Sequence, residues 1–401
     1  GAIGKCSIES NFIGIYLSDC SSVTIFSCFV TNNIADGISL GDSNNISISS
    51  CTITNNEWDG IKLSDSSNAT ISSCTITNNT EDGIDLYYSS SVTVFSCNIS
   101  NNTVDGIDFQ GSTNDSISNN IFTNNSITIS GSSVFAFLHS IENNFLNGKP
   151  LLYYKNKNHI VLDAALAGQI ILVNCTNVKL SHINISNTSI GIEIAYSTNI
   201  TISSCTINNT NLGYIYLGSS SSIVISYCTL SNTKVGGIIL AGSSNVTISN
   251  CTIRKSELAE IAIYLLFSSN VTIFKSPIKN GGYYGIALSN SNNVDINWCQ
   301  ISDNKGYGII ISKSTNNTIS NCTILNANKS GISIESANNN TIKDNYCISN
   351  TIDGIGLFSS SGNLILNNFC QNNFKGIALR NSNDTRVVAN TRSVVANNTC
   401  S

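Results

Sequence analysis

Apolar residues in this chain come in short alternating runs, never in long stretches. In D-G-I-x-L, first seen at Asp36 to Leu40, the Ile and Leu fall on one face. In V-T-I the Val and Ile do the same, and the Ile of C-T-I opens a third run. Alternation of period two predicts strands, and the Ser, Asn and Gly between runs predict turns. The runs return at a fixed spacing. Cys28, Cys51, Cys74 and Cys97 are each 23 residues apart, as are Asp36, Asp59, Asp82 and Asp105, each followed by Gly-Ile. The register returns at Cys205, Cys228 and Cys251, again at Cys299 and Cys322, and again at Cys347 and Cys370.

Strands this short cannot form a sheet alone. Stacked on their copies one coil away, they build parallel sheets around an apolar column. The pattern therefore predicts an all-β fold: a single-stranded, right-handed parallel β-helix (a solenoid) with three short strands per coil of about 23 residues. Ile38, Ile61, Ile84 and Ile107 are expected to form one inner ladder, and Leu40, Leu63, Leu86 and Phe109 another. Asn33, Asn56, Asn79, Asn102 and Asn125 recur at a turn, where inward amides can bond to the coils above and below. Only Pro150 and Pro277 interrupt the supply of backbone donors. At ~4.8 Å per coil, roughly 16 or 17 coils make a rod of about 80 Å. One continuous β-helix is expected over 1–401, with an irregular coil or protruding loop around 139–175.

Charge changes the picture by its scarcity. Charged residues are 11% of the chain and the net charge is -5, which argues against a nucleic-acid partner. There is no Lys/Arg cluster for an anionic membrane and no apolar run near the ~20 residues of a spanning helix, so no membrane insertion is expected. Dense N-x-S/T sequons, fifteen cysteines and low charge point to a secreted protein at the cell surface. The absence of an initiator Met and of a signal peptide suggests a processed or trimmed product.

The segment Asn147 to Asn187, with N-G-K-P-L-L-Y-Y and then A-G-Q-I-I-L-V-N-C-T-N-V, adds a resemblance to the repeat. Together they make the chain resemble the NosD-like (carbohydrate-binding and sugar-hydrolase, CASH) β-helix family, especially its archaeal surface members. That resemblance implies a β-helix, export and often a carbohydrate context, but no single activity.

Candidate chemistry is sparse. Copper delivery favours Met, His and Cys, yet there is no Met and only His139, His159 and His182, widely separated. The row Asp36, Asp59, Asp82, Asp105 has three readings. It is turn chemistry, with Asp accepting local N–H bonds and Gly taking positive φ; or a calcium site; or a catalytic carboxylate set. Asp85 and Asp108 add outward charge beside it, and Asp19, Asp42 and Asp65 form another row. The N-T-D, G-H-G and R-I-K triplets of polygalacturonases and the D-P-H-D type of motif of alginate epimerases are absent. The cysteine ladder suits either packed thiols or disulfides between coils. Exposed aromatics for sugar stacking are sought at Tyr87-Tyr88, Tyr153-Tyr154, Tyr283-Tyr284, Trp58 and Trp298. Glycosylation is expected at Asn45, Asn68, Asn98, Asn114, Asn184, Asn199, Asn245, Asn270, Asn316, Asn339 and Asn383.

Neither end of the chain shows a polar cap, and bare β-helix ends invite association. Two readings follow. One is a non-catalytic, glycosylated extracellular structural subunit that stacks head to tail into a homopolymeric filament or sheath, with a possible intersubunit disulfide between Cys6 and Cys400 and no cofactor. The same bare ends also suit a fragment of a longer surface protein. The other reading is a carbohydrate-binding or polysaccharide-processing β-helix. A face dense in carboxylates with His, Lys or Arg would favour the second, and none is apparent along the sequence. The expectation at this point is a non-enzyme.

Overall fold

A computed structural model describes residues 1–254 and 260–388. The chain is a right-handed parallel β-helix with three strands per coil. Its packing divides into two units. The first is Gly1–Asn156 with Leu166–Asn174 and Ile185–Ala195; the second is Lys157–Ala165 with Cys175–Asn184 and the chain from Tyr196 onward. No helix among the described residues is long and apolar enough to cross a membrane.

In the first unit the three runs of the repeat become three parallel sheets. The V-T-I strands extend from Ala2–Gly4 to Ser140–Glu142, and the C-T-I strands from Ser7–Glu9 to Phe145–Leu146. The G-I-x-L strands are Ile15–Ser18, Ile38–Gly41, Ile61–Ser64, Ile84–Tyr87, Ile107–Gln110 and Ile127–Ser130. Register follows the repeat, with Ile38 opposite Ile61, Ile61 opposite Ile84, and Ile84 opposite Ile107. Both predicted ladders are fully buried, and each such side chain contributes roughly 1.5–3 kcal/mol relative to exposure.

The corners obey a second rule: every backbone donor turned inward needs an acceptor. The Asn ladder supplies one, each Nδ2 donating to the next Oδ1 at 2.8, 2.9, 2.9 and 3.1 Å from Asn33 to Asn125. A serine column does the same at another corner. Ser66 Oγ accepts the Ser43 N–H at 3.0 Å, and Ser112 Oγ accepts that of Ser89 at 2.9 Å. Cys28, Cys51, Cys74 and Cys97 hold the third corner as free thiols. Cys51 Sγ accepts the Cys28 N–H and Cys97 Sγ that of Cys74, each at 3.4 Å. Asn120 Oδ1 takes over the role for Cys97 at 2.9 Å.

The glycines after each Asp do not serve a left-handed backbone, contrary to expectation. Gly37, Gly60, Gly83 and Gly106 all lie outside the positive-φ region. A Cβ on Gly60 would stand 2.6 Å from the Gly83 carbonyl oxygen and 2.7 Å from Asn79 Nδ2. Close approach of the next coil, not chain reversal, demands glycine. The left-handed positions fall to Asn and Ser at the corners, such as Asn55, Asn78 and Asn101 at φ 56, 56 and 55°.

The pattern changes after Ser130. A short 3-10 turn at Val134–Phe137 precedes an antiparallel hairpin in which Leu146 faces Lys149 across Asn147-Gly148. The strand Lys149–Lys155 then pairs in parallel with Gln169–Val173, which pairs with Asn184–Ala195. His139 fills the corner above Asp115, fully buried, with Nδ1 3.2 Å from the carboxylate.

The second unit repeats the scheme with longer strands. Its V-T-I sheet runs from Asn158–Asp163 to Arg386–Val388, many strands having six residues, as in Ser244–Ser249. Asparagine ladders return at Asn317–Asn340–Asn363 and Asn345–Asn368.

Candidate functional site

The outer face of the G-I-x-L sheet in the first unit gathers Asp85 and Asp108 beside the row Asp36, Asp59, Asp82 and Asp105. In-register stacking places Ser39, Lys62, Asp85, Asp108 and Thr128 in one column. The row Asp36, Asp59, Asp82, Asp105 runs beside it, one residue before each Gly. Lys62 Nζ lies 2.6 Å from Asp85 Oδ2 and 3.1 Å from Asp59 Oδ2. Gln110 Nε2 donates to Asp108 Oδ2 at 2.8 Å. Sequence reading found no such face, and the structure corrects that. Lys62 sits at the variable position of the repeat, which the consensus does not mark. Alignment at 23 residues with Asp85 and Asp108 was the signal available.

The row itself is part of the fold. Asp59 Oδ1 accepts the Asp82 N–H at 2.9 Å, and Asp82 Oδ1 accepts the Asp105 N–H at 2.7 Å. These bonds come from the next coil and are not local. Asp85 points away from the core, as alternation requires, yet it is buried beneath its neighbours; Asp108 is half-buried.

Burial and crowding raise the proton affinity of this set. Asp82 is pushed up to about 9 by burial and then by Asp105, Asp108 and Asp59. Asp105 rises to about 7 through burial, opposed by a bond from Ser189. Asp85 rises only to about 6, because Lys62 opposes its burial. Burial also raises Asp36 and Asp108. Burial alone would pull the Lys62 ammonium down, but Asp85 and Asp59 more than offset it and hold it up.

Thr128 reports the consequence. Its hydroxyl lies 2.8 Å from Asp105 Oδ2 and 3.0 Å from Asp108 Oδ1. One hydroxyl carries one proton, so it can satisfy both carboxyls only if one of them is itself protonated. Glu193 joins the cluster from 85 residues beyond Asp108. Burial raises its proton affinity first, and Asp105 and Asp108 add to that. The Ile129 backbone offsets part of this, although neither carboxyl oxygen makes a hydrogen bond of normal geometry. Nothing in the repeat pointed to Glu193, Gln110 or Thr128.

Aromatic rings flank the acids. Trp58 adjoins Asp59 and packs edge-on against Phe12, with centroids 6.2 Å apart; both are exposed. Tyr87 and Tyr88 lie on the other side, edge to face at 4.6 Å and exposed. The other aromatic candidates are elsewhere. The Tyr153 hydroxyl is engaged with the Phe137 carbonyl at 2.5 Å. Tyr283 and Tyr284 pack with Tyr307 in the second unit, and Trp298 is exposed there.

Asp19, Asp42 and Asp65 are exposed turn residues at φ 53, 49 and 49°, in a separate row. His182 pairs with Asp163 on the surface at 2.7 Å, and His159 is exposed. Among the described residues no three or more His, Cys, Asp or Glu are grouped to hold a metal ion, the Asp36–Asp105 row included. All eleven candidate sequon asparagines are exposed. Cys6 is exposed, and Cys400 lies outside the described residues.

Comparisons with known proteins agree on the fold. A mutant of the periplasmic alginate epimerase AlgG is similar at 12% identity over 84% of this chain and 78% of that one, with a TM-score of 0.49. The polygalacturonase of Erwinia carotovora is similar at 14% identity over 85% and 89%, with a TM-score of 0.39. A family 28 exopolygalacturonase of Yersinia enterocolitica is similar at 8% identity over 78% and 73%, with a TM-score of 0.44. No curated protein matches the sequence. These neighbours are named as an epimerase and polygalacturonases, so the expectation of a non-enzyme does not stand; at these identities and TM-scores the likeness itself shows the fold alone. The model described as a right-handed β-helix region matches residues 1–149, 139–257 and 236–392, and the chain belongs to that right-handed β-helix family.

Proposed function

We propose that this protein processes a polysaccharide by general acid–base chemistry on the acidic face of its first unit. One observation carries the reading: Lys62 is paired with Asp85 and Asp59 at 2.6 and 3.1 Å, whereas Asp82 beside them is buried among carboxyls. Asp82, at about 9, stays protonated at neutral pH, whereas Asp85, at about 6 and paired with Lys62, is ionised. Groups driven apart in this way divide into acid and base roles. Asp82 would donate its proton to the leaving glycosidic oxygen, and Asp108 would take one from the water whose oxygen bonds to the anomeric carbon in its place. The Asp85–Lys62 pair supplies fixed charge, and half-buried Asp108, oriented by Gln110, is the carboxyl best placed to meet substrate. Trp58, Tyr87 and Tyr88 offer apolar surfaces for sugar rings. Such substrates place the protein outside the cytoplasm, in keeping with its exposed sequons.

The test is product analysis by mass spectrometry on neutral, amine-bearing and uronate oligosaccharides. Turnover should be highest between about pH 6 and about pH 9, the limits set by Asp85 and Asp82. Asp82→Asn should lower kcat by about 10²-fold or more. Turnover unaffected by that substitution, or no turnover of any glycan, would remove the proposal.

A further inference from the structure

The charge of the acidic face identifies the glycan it accepts. From residue 6 to residue 148 the chain has fourteen Asp and Glu, and Lys62 is the one Lys or Arg. That lysine is already committed to Asp59 and Asp85 at 3.1 and 2.6 Å. Nothing cationic on this stretch remains for a substrate carboxylate. The rim repeats the sign: Glu57 and Glu81 are exposed on one side, Asp42 and Asp65 on the other.

A second observation is independent of that count. Glu193 is fully buried within range of the charges of Asp105 and Asp108, and neither of its carboxyl oxygens makes a hydrogen bond of normal geometry. Asp36 and Asp105 each also bury one unpartnered oxygen. A folded chain pairs its buried polar atoms with few exceptions, so this cluster lacks donors, and the carboxyls that ionise on it, Asp85 first, have Lys62 as their counter-charge. A uronate would add like charge to it. An ammonium would supply what it lacks, because an opposite charge within a few ångströms favours the ionised carboxylate.

We infer that the glycan bound on this face carries amines, as a chain of unacetylated hexosamines does, and not carboxylates. The inference rests on the polysaccharide reading above and narrows its substrate class.

The experiment measures binding of three hexasaccharides to the whole chain by calorimetry: glucosamine, N-acetylglucosamine and galacturonate. The glucosamine hexamer should bind at least tenfold tighter than either of the others. Its affinity should fall several-fold between 20 and about 200 mM salt, as screening shortens the reach of the acidic face. Lys62→Gln should tighten its binding, since that change removes the cation competing for Asp59 and Asp85. The wild-type salt series stands even if this variant fails to fold. Preferential binding of the galacturonate hexamer, or equal binding of the neutral one without salt dependence, overturns the amine assignment and leaves polysaccharide processing intact. Binding of none of the three, together with no turnover of any glycan, overturns both.

Discussion

A residue at a corner of this fold is selected for its acceptor atom. The third corner column holds Cys51, Cys74 and Cys97, then Asn120, and in the second unit Ser276 accepts the Cys251 N–H at 3.3 Å. Sulfur, amide and hydroxyl are interchangeable there because each faces one inward N–H. This explains a cysteine ladder that packs as thiols and is free of disulfides. Cys97→Val should strand the Cys74 N–H and cost about 1–3 kcal/mol. Cys97→Ser should cost less than about 1 kcal/mol, since serine already fills the same role elsewhere. Urea midpoints of the two variants check this, and equal losses would contradict the acceptor role.

At the scale of the element, the coil is set by how closely its neighbour passes. The Asp-Gly step reads as a turn from sequence, but the structure uses its glycine for contact: Gly60 lies under the Gly83 carbonyl. Gly60→Ala should therefore destabilise by roughly 1–3 kcal/mol through overpacking, only partly offset by the lower backbone entropy of the unfolded chain. Thermal melting would show it. A stabilised Gly60→Ala would mean that the next coil can yield at that point. The aspartate before it is equally part of the element, since its side chain caps the next coil. The candidate acids are thus held by the same bonds that stack the helix.

At the scale of the whole molecule, the acidic face couples stability to pH. Asp82, Asp85 and Asp105 bind protons more tightly folded than the ordinary carboxyl does, at about 9, 6 and 7, and Glu193 is raised as well. Between pH 4 and the folded values, the unfolded chain has released these protons while the native one retains them. Stability therefore falls as pH rises, by about 1.4 kcal/mol per pH unit for each proton so retained. Unfolding midpoints should be highest near pH 4–5 and decline through about pH 9. Glu193→Gln should leave the acid limit unchanged and flatten the decline. A midpoint that rises from pH 5 to pH 8 would contradict this assignment.

The β-helix was legible because its period is strict. A spacing of 23 stacks like on like, so the Ile and Leu ladders, the asparagine column and the exposed sequons follow from counting. The serine column at Ser43, Ser66, Ser89 and Ser112 keeps the same spacing but was hidden in a serine-rich background. The acidic face was legible only in part. Lys62, Asp85 and Asp108 share the period, whereas Thr128 stands 20 residues after Asp108 and Glu193 returns by an irregular path. Sequence by itself determined which residues repeat, because hydrogen bonding between coils propagates one register along the chain. Tertiary structure alone decided which carboxyls keep their protons and which glycines are indispensable, because burial and close approach depend on what lies above a residue and not on what precedes it.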